Sequence, residues 1–323
     1  MPRGIKFFGE GLPYLKSGEL KGKLIAIEGT DGVGRSTQVD LLEDWLQVQG
    51  YGVVVTGWTR SNLMSKTIEM AKNGNMLDRM TFSLLYATDF ADRLENQILP
   101  ALRSGFIVLV DRYIYTAFAR DAARDPDTRW IKDVFGFALI PDLVCYLRID
   151  VESLIPRVIE SGGMNYWESG MDLHLTDNIF DSFKKYQKVL IDAYDRMAEE
   201  YKFEVLDARR SVEEIQMDLR SRIETVIKGS SGNIVPLPPS GGKVMRLEGG
   251  TRASHQEIET RIQKLKTASL YPFLEGPEGE VKNSALPADE TPATPALNDK
   301  ELPFSSESNP ALELPKGSES NHS

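Results

Sequence analysis

The chain of 323 residues carries a formal net charge of −10 and a pI near 5.0, with no basic stretch alternating with aromatics, so a nucleic-acid polymer is not expected as a partner. Its 41% hydrophobic content suffices for a sizeable core, and its one cysteine, Cys145, excludes an internal disulfide framework or a Cys-based metal site and points to the cytoplasm. No segment is apolar enough to span a membrane, and the first residues lack the apolar core of a signal peptide.

Residues 1–21 read as an N-terminal extension. Residues 24–27 form a short apolar run suited to a buried parallel strand, and 38–49 carry a helical stripe of Val39, Leu41, Leu42, Trp45, Leu46 and Val48. A second strand is expected at 52–55, a helix at 63–71 and a long helix over 78–102. The fully apolar run 106–110 is the third strand and ends on Asp111. Strands at 143–147 and 203–206 and helices at 180–198 and 212–227 complete the pattern. Strands alternating with helices predict a five-stranded parallel sheet covered on both faces, a three-layer α/β sandwich of about 22–228. Beyond it, eleven of the seventeen prolines lie after Ser230, and residues 229–323 read as a Pro/Ser/Glu-rich, mostly disordered tail. Within that tail, residues 257–270 have the spacing of a short helix, either docked or transient.

The chemistry concentrates at the turn after the first strand. Gly29, Thr30, Asp31, Gly32, Val33, Gly34, Arg35, Ser36 and Thr37 have the spacing of a phosphate-binding loop between a strand and a helix, except that arginine stands where lysine belongs. Glycines there let successive backbone N–H groups converge on an anion, the helix N-terminus adds partial positive charge, and Ser36 or Thr37 offers a hydroxyl to Mg²⁺. Arg35 keeps the charge but presents a planar five-donor fork instead of a compact ammonium. In a parallel sheet the ligand belongs at the carboxyl ends of the strands, which selects Thr59-Arg60 and Asp111-Arg112-Tyr113 as well. Asp111 is placed to organise Mg²⁺, and Arg112 to clamp a second phosphate.

Together with Leu84-Leu85-Tyr86-Ala87, the run from Ile98 to Gly105 and Asp111 to Thr116, this loop resembles the thymidylate kinase family over about Gly22 to Ile227. The resemblance implies a nucleoside monophosphate kinase fold that moves the γ-phosphoryl of ATP onto dTMP with Mg²⁺, usually as a homodimer. It implies that Asp31 touches the acceptor sugar, that Arg60 and Arg112 meet the acceptor phosphate, that Tyr86 stacks on the base and that Thr116 lies near it. Arg35, Asp111 and Arg112 would then be catalytic, and Ser36 and Asp111 would hold the metal.

Three departures from the family pattern stand out. Arg35 replaces the loop lysine, Phe90 stands where an arginine reads the base edge, with Arg93 one helical turn further on as a candidate substitute from a different place on the helix, and the lid stretch 159–172 contains no base while carrying Glu160, Glu168 and Asp172. Arg157, just before that stretch, matches the first lid arginine, with Arg120 and Arg124 as further sources of charge; Tyr166 and Trp167 read equally as a hinge or a stacking platform. His174 reads as a loop residue. Three readings follow: a dTMP kinase, a kinase for a different acceptor, or a nucleotide-binding regulator without turnover.

Overall fold

The computed structural model describes residues 5–16, 20–73, 78–124 and 127–229. The tail from residue 230 onward, with the short helix expected at 257–270, lies outside the described residues.

Five strands, β1 (Lys23–Glu28), β2 (Val53–Gly57), β3 (Ile107–Asp111), β4 (Leu143–Arg148) and β5 (Glu204–Asp207), form one all-parallel sheet in the order β2-β3-β1-β4-β5. Period-two alternation assigns its two faces. Leu24, Ala26, Val108, Val110, Val144 and Tyr146 join one core with α3 (Arg79–Arg93), α4 (Leu99–Arg103), α5 (Ile114–Ala122) and α8 (Ile179–Tyr201). Ile25, Ile27, Ile107, Leu109, Cys145 and Leu147 join the other, under α1 (Arg35–Val48), α7 (Val151–Glu160) and α9 (Val212–Lys228). The three-layer sandwich is therefore as the sequence predicts. Cys145 is fully buried in β4, where burial pushes its thiol up to about 12 and leaves it unreactive.

Pairing register sets the site. Ile27 of β1 and Gly57 of β2 both lie opposite Asp111 of β3, so these three strands end level and deliver their following loops to one edge. The long helix expected over 78–102 is continuous but not uniformly α-helical: a π-turn at Leu94–Ile98 separates α3 from α4. Sequence reasoning passed over three short helices: α5, α6 (Arg129–Val134) and α7. α7 keeps a helical apolar stripe at Val151, Leu154, Ile155 and Val158 across Pro156, and it is capped by Asp150, whose carboxylate accepts from the Ser153 backbone N–H at 2.8 Å. The described part of the N-terminal extension packs on this body, with Phe8 edge-on to Tyr115 and Phe118 and Phe7 bridged to Leu139. α2 (Ser65–Asn73) follows the β2 loop.

α9 begins with a capping box: Ser211 Oγ accepts from the Glu214 N–H at 3.2 Å, and the Glu214 carboxylate accepts from the Ser211 N–H at 2.9 Å. Ser211→Ala removes one of these bonds and is expected to cost about 1 kcal/mol, a Tm drop of roughly 2–4 °C in a scanning calorimeter.

Candidate functional site

The turn after β1 is built for close backbone approach. Gly34 precedes α1 at φ 100° with no side chain capping the helix, so the first N–H groups of α1 face the turn. At Gly32, with φ 78°, a Cβ would come within 2.5 Å of Val158, so α7 packs directly on the turn. Arg35 opens α1 and bends back across the loop. Its Nε donates to Asp111 Oδ1 at 2.9 Å, and its Nη1 donates to the Gly29 carbonyl at 2.5 Å and also to the Thr30 carbonyl. Ser36 Oγ donates to the other Asp111 oxygen at 3.0 Å.

A hydroxyl and a carboxylate this close fit Mg²⁺, a hard ion that takes one or two protein oxygens and fills its shell with phosphate and water. Among the described residues no group of three or more His, Cys, Asp or Glu side chains could hold a metal by itself, so Ser36 and Asp111 are the donor pair the sequence selected.

Asp31 lies between two guanidiniums, paired with Arg112 on one oxygen and with Arg120 at 3.2 Å on the other. Arg112 holds a left-handed backbone, φ 69°, that turns its side chain to this edge. Burial, and then the nearby Arg120, push its pKa down to about 10, which leaves it charged at neutral pH. Beside this group opens a cleft lined by Trp58, Phe82, Tyr86, Thr116, Arg120 and Arg124, about 330 Å³ including space open to solvent. Tyr86 is buried among aromatics, its ring 4.8 Å from Trp58 and 4.6 Å from Phe82. Thr116 reaches the cleft, but its hydroxyl is committed to Glu28 at 2.9 Å and to the Tyr194 hydroxyl at 2.8 Å. Arg60 lies in the loop after β2, with its guanidinium carbon near Gly57.

Phe90 is fully buried against Tyr113, Phe135 and Phe137 and offers the cleft nothing polar. Arg93 is fully buried too and paired with Asp89 at 2.9 Å, which removes it as a reader of the base. Between α7 and α8 the lid stretch is latched down. Trp167 stacks on Phe82 with centroids 5.4 Å apart and donates to the Lys72 carbonyl at 2.9 Å, so it serves as a latch and not as a base platform. Asp172 pairs with Arg124 at 2.5 Å. The Glu168 charge favours the charged forms of Arg112, Arg120 and Lys72. Arg157 donates to the Val33 carbonyl at 3.2 Å, on the glycine-rich turn itself. His174 ends a short helical turn and is exposed, as a loop residue would be.

Sequence reasoning overlooked Trp58 and Glu28. Glu28 is an acid ending an apolar strand, the same signal that singled out Asp111. It is fully buried, accepting from the Tyr113 N–H at 2.7 Å, Thr116 Oγ1 at 2.9 Å and Tyr194 hydroxyl at 3.0 Å. Burial raises its carboxyl to about 7, against the lowering pull of those hydrogen bonds and the Arg35 charge.

A parallel sheet ending in a glycine-rich turn, with an Asp-Arg pair after the neighbouring strand and an aromatic cleft beside it, defines a nucleoside monophosphate kinase type of α/β protein. The thymidylate kinase family model matches residues 27–219. A probable thymidylate kinase 2 of Saccharolobus solfataricus is 39% identical over 213 residues, covering 65% of this chain and 100% of that protein. A probable thymidylate kinase of Thermococcus gammatolerans is 31% identical over 216 residues, 64% of this chain and 98% of the relative. A thymidylate kinase of a Thermoanaerobacter species is 35% identical over 146 residues, 43% and 71% respectively. The chain belongs to the thymidylate kinase family.

Because Glu28 holds its proton more tightly folded than unfolded, its contribution to stability is full below about 4.5 and is lost as pH rises to about 7. The slope is at most about 1.4 kcal/mol per pH unit in that window. Glu28→Gln removes it. The Tm of the variant minus that of the parent should rise from pH 4.5 to 7 and level off above, as followed by circular dichroism; a flat difference would mean Glu28 is ionised throughout.

Proposed function

We propose that this protein transfers the γ-phosphoryl group of ATP to dTMP, forming dTDP and ADP. The observation that carries the reading is the convergence of the glycine-rich turn, Ser36 and Asp111 at one sheet edge with Asp31, Arg112 and the Tyr86 cleft beside them. Family membership supports the same activity.

In this reading the backbone N–H groups from Gly29 to Thr37 hold the donor phosphates, and Arg35 supplies fixed positive charge to them. Ser36 and Asp111 hold Mg²⁺, which when bound neutralises charge on the phosphates. Arg60 and Arg112 orient the acceptor phosphate, Tyr86 takes the base and Asp31 the sugar. An oxygen of the acceptor phosphate then attacks the γ-phosphorus in line, the bond to the β-phosphate bridging oxygen breaks, and ADP leaves. Most of the acceleration comes from positioning and charge neutralisation. Arg157 on the turn stands where charge develops, and supports transfer without a basic lid. Residues 22–228 form the working unit of this reading, in a cytoplasmic homodimer, with 229–323 as an appended tail.

The test is the full chain with Mg²⁺ and ATP against a panel of nucleoside monophosphates, reading ADP and diphosphate. dTMP should be the best acceptor, and Arg35→Ala should lower kcat by about 10²-fold, while Arg35→Lys stays within about 10-fold of the parent. ATP binding without acceptor-dependent ADP would replace the kinase with a nucleotide-binding regulator.

A further inference from the structure

The loop that carries Arg60 is held more firmly than a surface connection needs. Its Thr59 has a left-handed backbone, φ 60°, uncommon for a β-branched residue. Asp89 accepts the Thr59 N–H at 3.3 Å and the Ser61 N–H at 3.1 Å, the two amides that flank Arg60. Gln97 Nε2 donates to the Arg60 carbonyl at 3.3 Å, and Gln97 Oε1 accepts from Thr56 of β2 at 2.7 Å. Ser61 Oγ donates to Asp92 at 2.5 Å and accepts the N–H groups of Leu63 and Met64 at 3.1 and 3.0 Å. The Arg60 backbone is thus fixed on both sides, while among the described residues its guanidinium forms no ion pair.

Arg93 makes this possible. Asp89 and Arg93 are both 0% exposed, and a buried carboxylate persists only if it is paired and hydrogen-bonded. The Arg93 guanidinium lies over the rings of Trp58 and Phe90, 5.8 and 5.6 Å from their centroids. The π-turn supplies the third member. Asp89, Arg93 and Gln97 are four residues apart, a spacing that drifts around a regular α-helix; the wider turn at Leu94–Ile98 rotates less per residue and keeps Gln97 facing the loop.

We infer that Asp89, Arg93 and Gln97 form a ladder of positioning residues that aims Arg60 at the phosphate of the acceptor nucleotide. The inference rests on the kinase reading above. The arginine absent at position 90 has a counterpart one turn along the helix, but its work is to hold a loop and not to read a base.

The test is a double-mutant cycle of Gln97→Met and Arg60→Met in the full chain, reading kcat, KM for dTMP and for ATP, and dTMP affinity by titration calorimetry. Gln97→Met should raise KM for dTMP roughly tenfold, leave KM for ATP within about twofold, and add nothing once Arg60 is replaced. No change in KM for dTMP, an equal rise in both KM values, or full additivity with Arg60→Met overturns the ladder and leaves the kinase standing. Should Gln97→Met unfold by circular dichroism, Ser61→Ala takes its place in the cycle with the same outcomes. A parent without turnover whose dTMP affinity shows the same non-additivity keeps the ladder and loses the kinase; a parent that neither turns over nor binds dTMP overturns both.

Discussion

The carboxylate of Asp111 is the point on which the sheet edge turns. Register places it level with Ile27 and Gly57, and its two oxygens receive the first two side chains of α1, Arg35 and Ser36. One acid thereby ties the glycine-rich turn, α1 and β3 into a fixed geometry. The pair it makes with Arg35 is largely buried, and such a pair is sustained only when the remaining donors are satisfied. Nη1 supplies part of that satisfaction, reaching the carbonyls of Gly29 and Thr30 at the same time. A planar fork serves a carboxylate and two carbonyls together, which a single ammonium does less well. Arg35 is therefore an integral brace of the turn.

The other two departures have the same character. Removing an arginine at position 90 leaves Phe90 to fill an aromatic cluster, and the cations appear instead at Arg93, neutralising Asp89, and at Arg120, against Asp31. The lid carries no base, yet Arg157 of α7 already rests on the turn and Arg124 of α5 holds the lid acid Asp172. The cations that adjoin the lid thus sit on helices or at a helix end. Helix-borne groups are held by packing, so less ordering remains to be done when a ligand arrives.

The sheet was legible because its central strands β1, β3 and β4, buried on both faces, read as apolar runs, and the motif residues were legible because glycine spacing is dictated by backbone geometry. What hid was tertiary. α7 and α5 were the exceptions: Val151, Leu154, Ile155 and Val158 keep a helical spacing across Pro156, and α5 starts inside a motif read for its chemistry, so both were legible and were passed over. The π-turn left no local sign, since Leu94 and Ile98 keep an i, i+4 apolar spacing across it. Asp89 and Arg93 did leave one: two opposite charges four apart on the face that carries Tyr86 and Phe90 can be accommodated only as a buried pair. Reading Arg93 as a possible base contact missed that Asp89 needed it more.

Electrostatic sign settles how a chain with net charge −10 presents an anion site. Arg35, Arg60, Arg112, Arg120 and Arg157 gather at one edge, with Asp31 and Asp111 the carboxylates paired among them. Low-dielectric walls of buried aromatics focus the excess toward the cleft. The lid acid Asp172 is paired with Arg124, a residue of the cleft wall. The missing lid bases are thus compatible with phosphate binding, because the charge that the lid lacks is already on the floor beneath it.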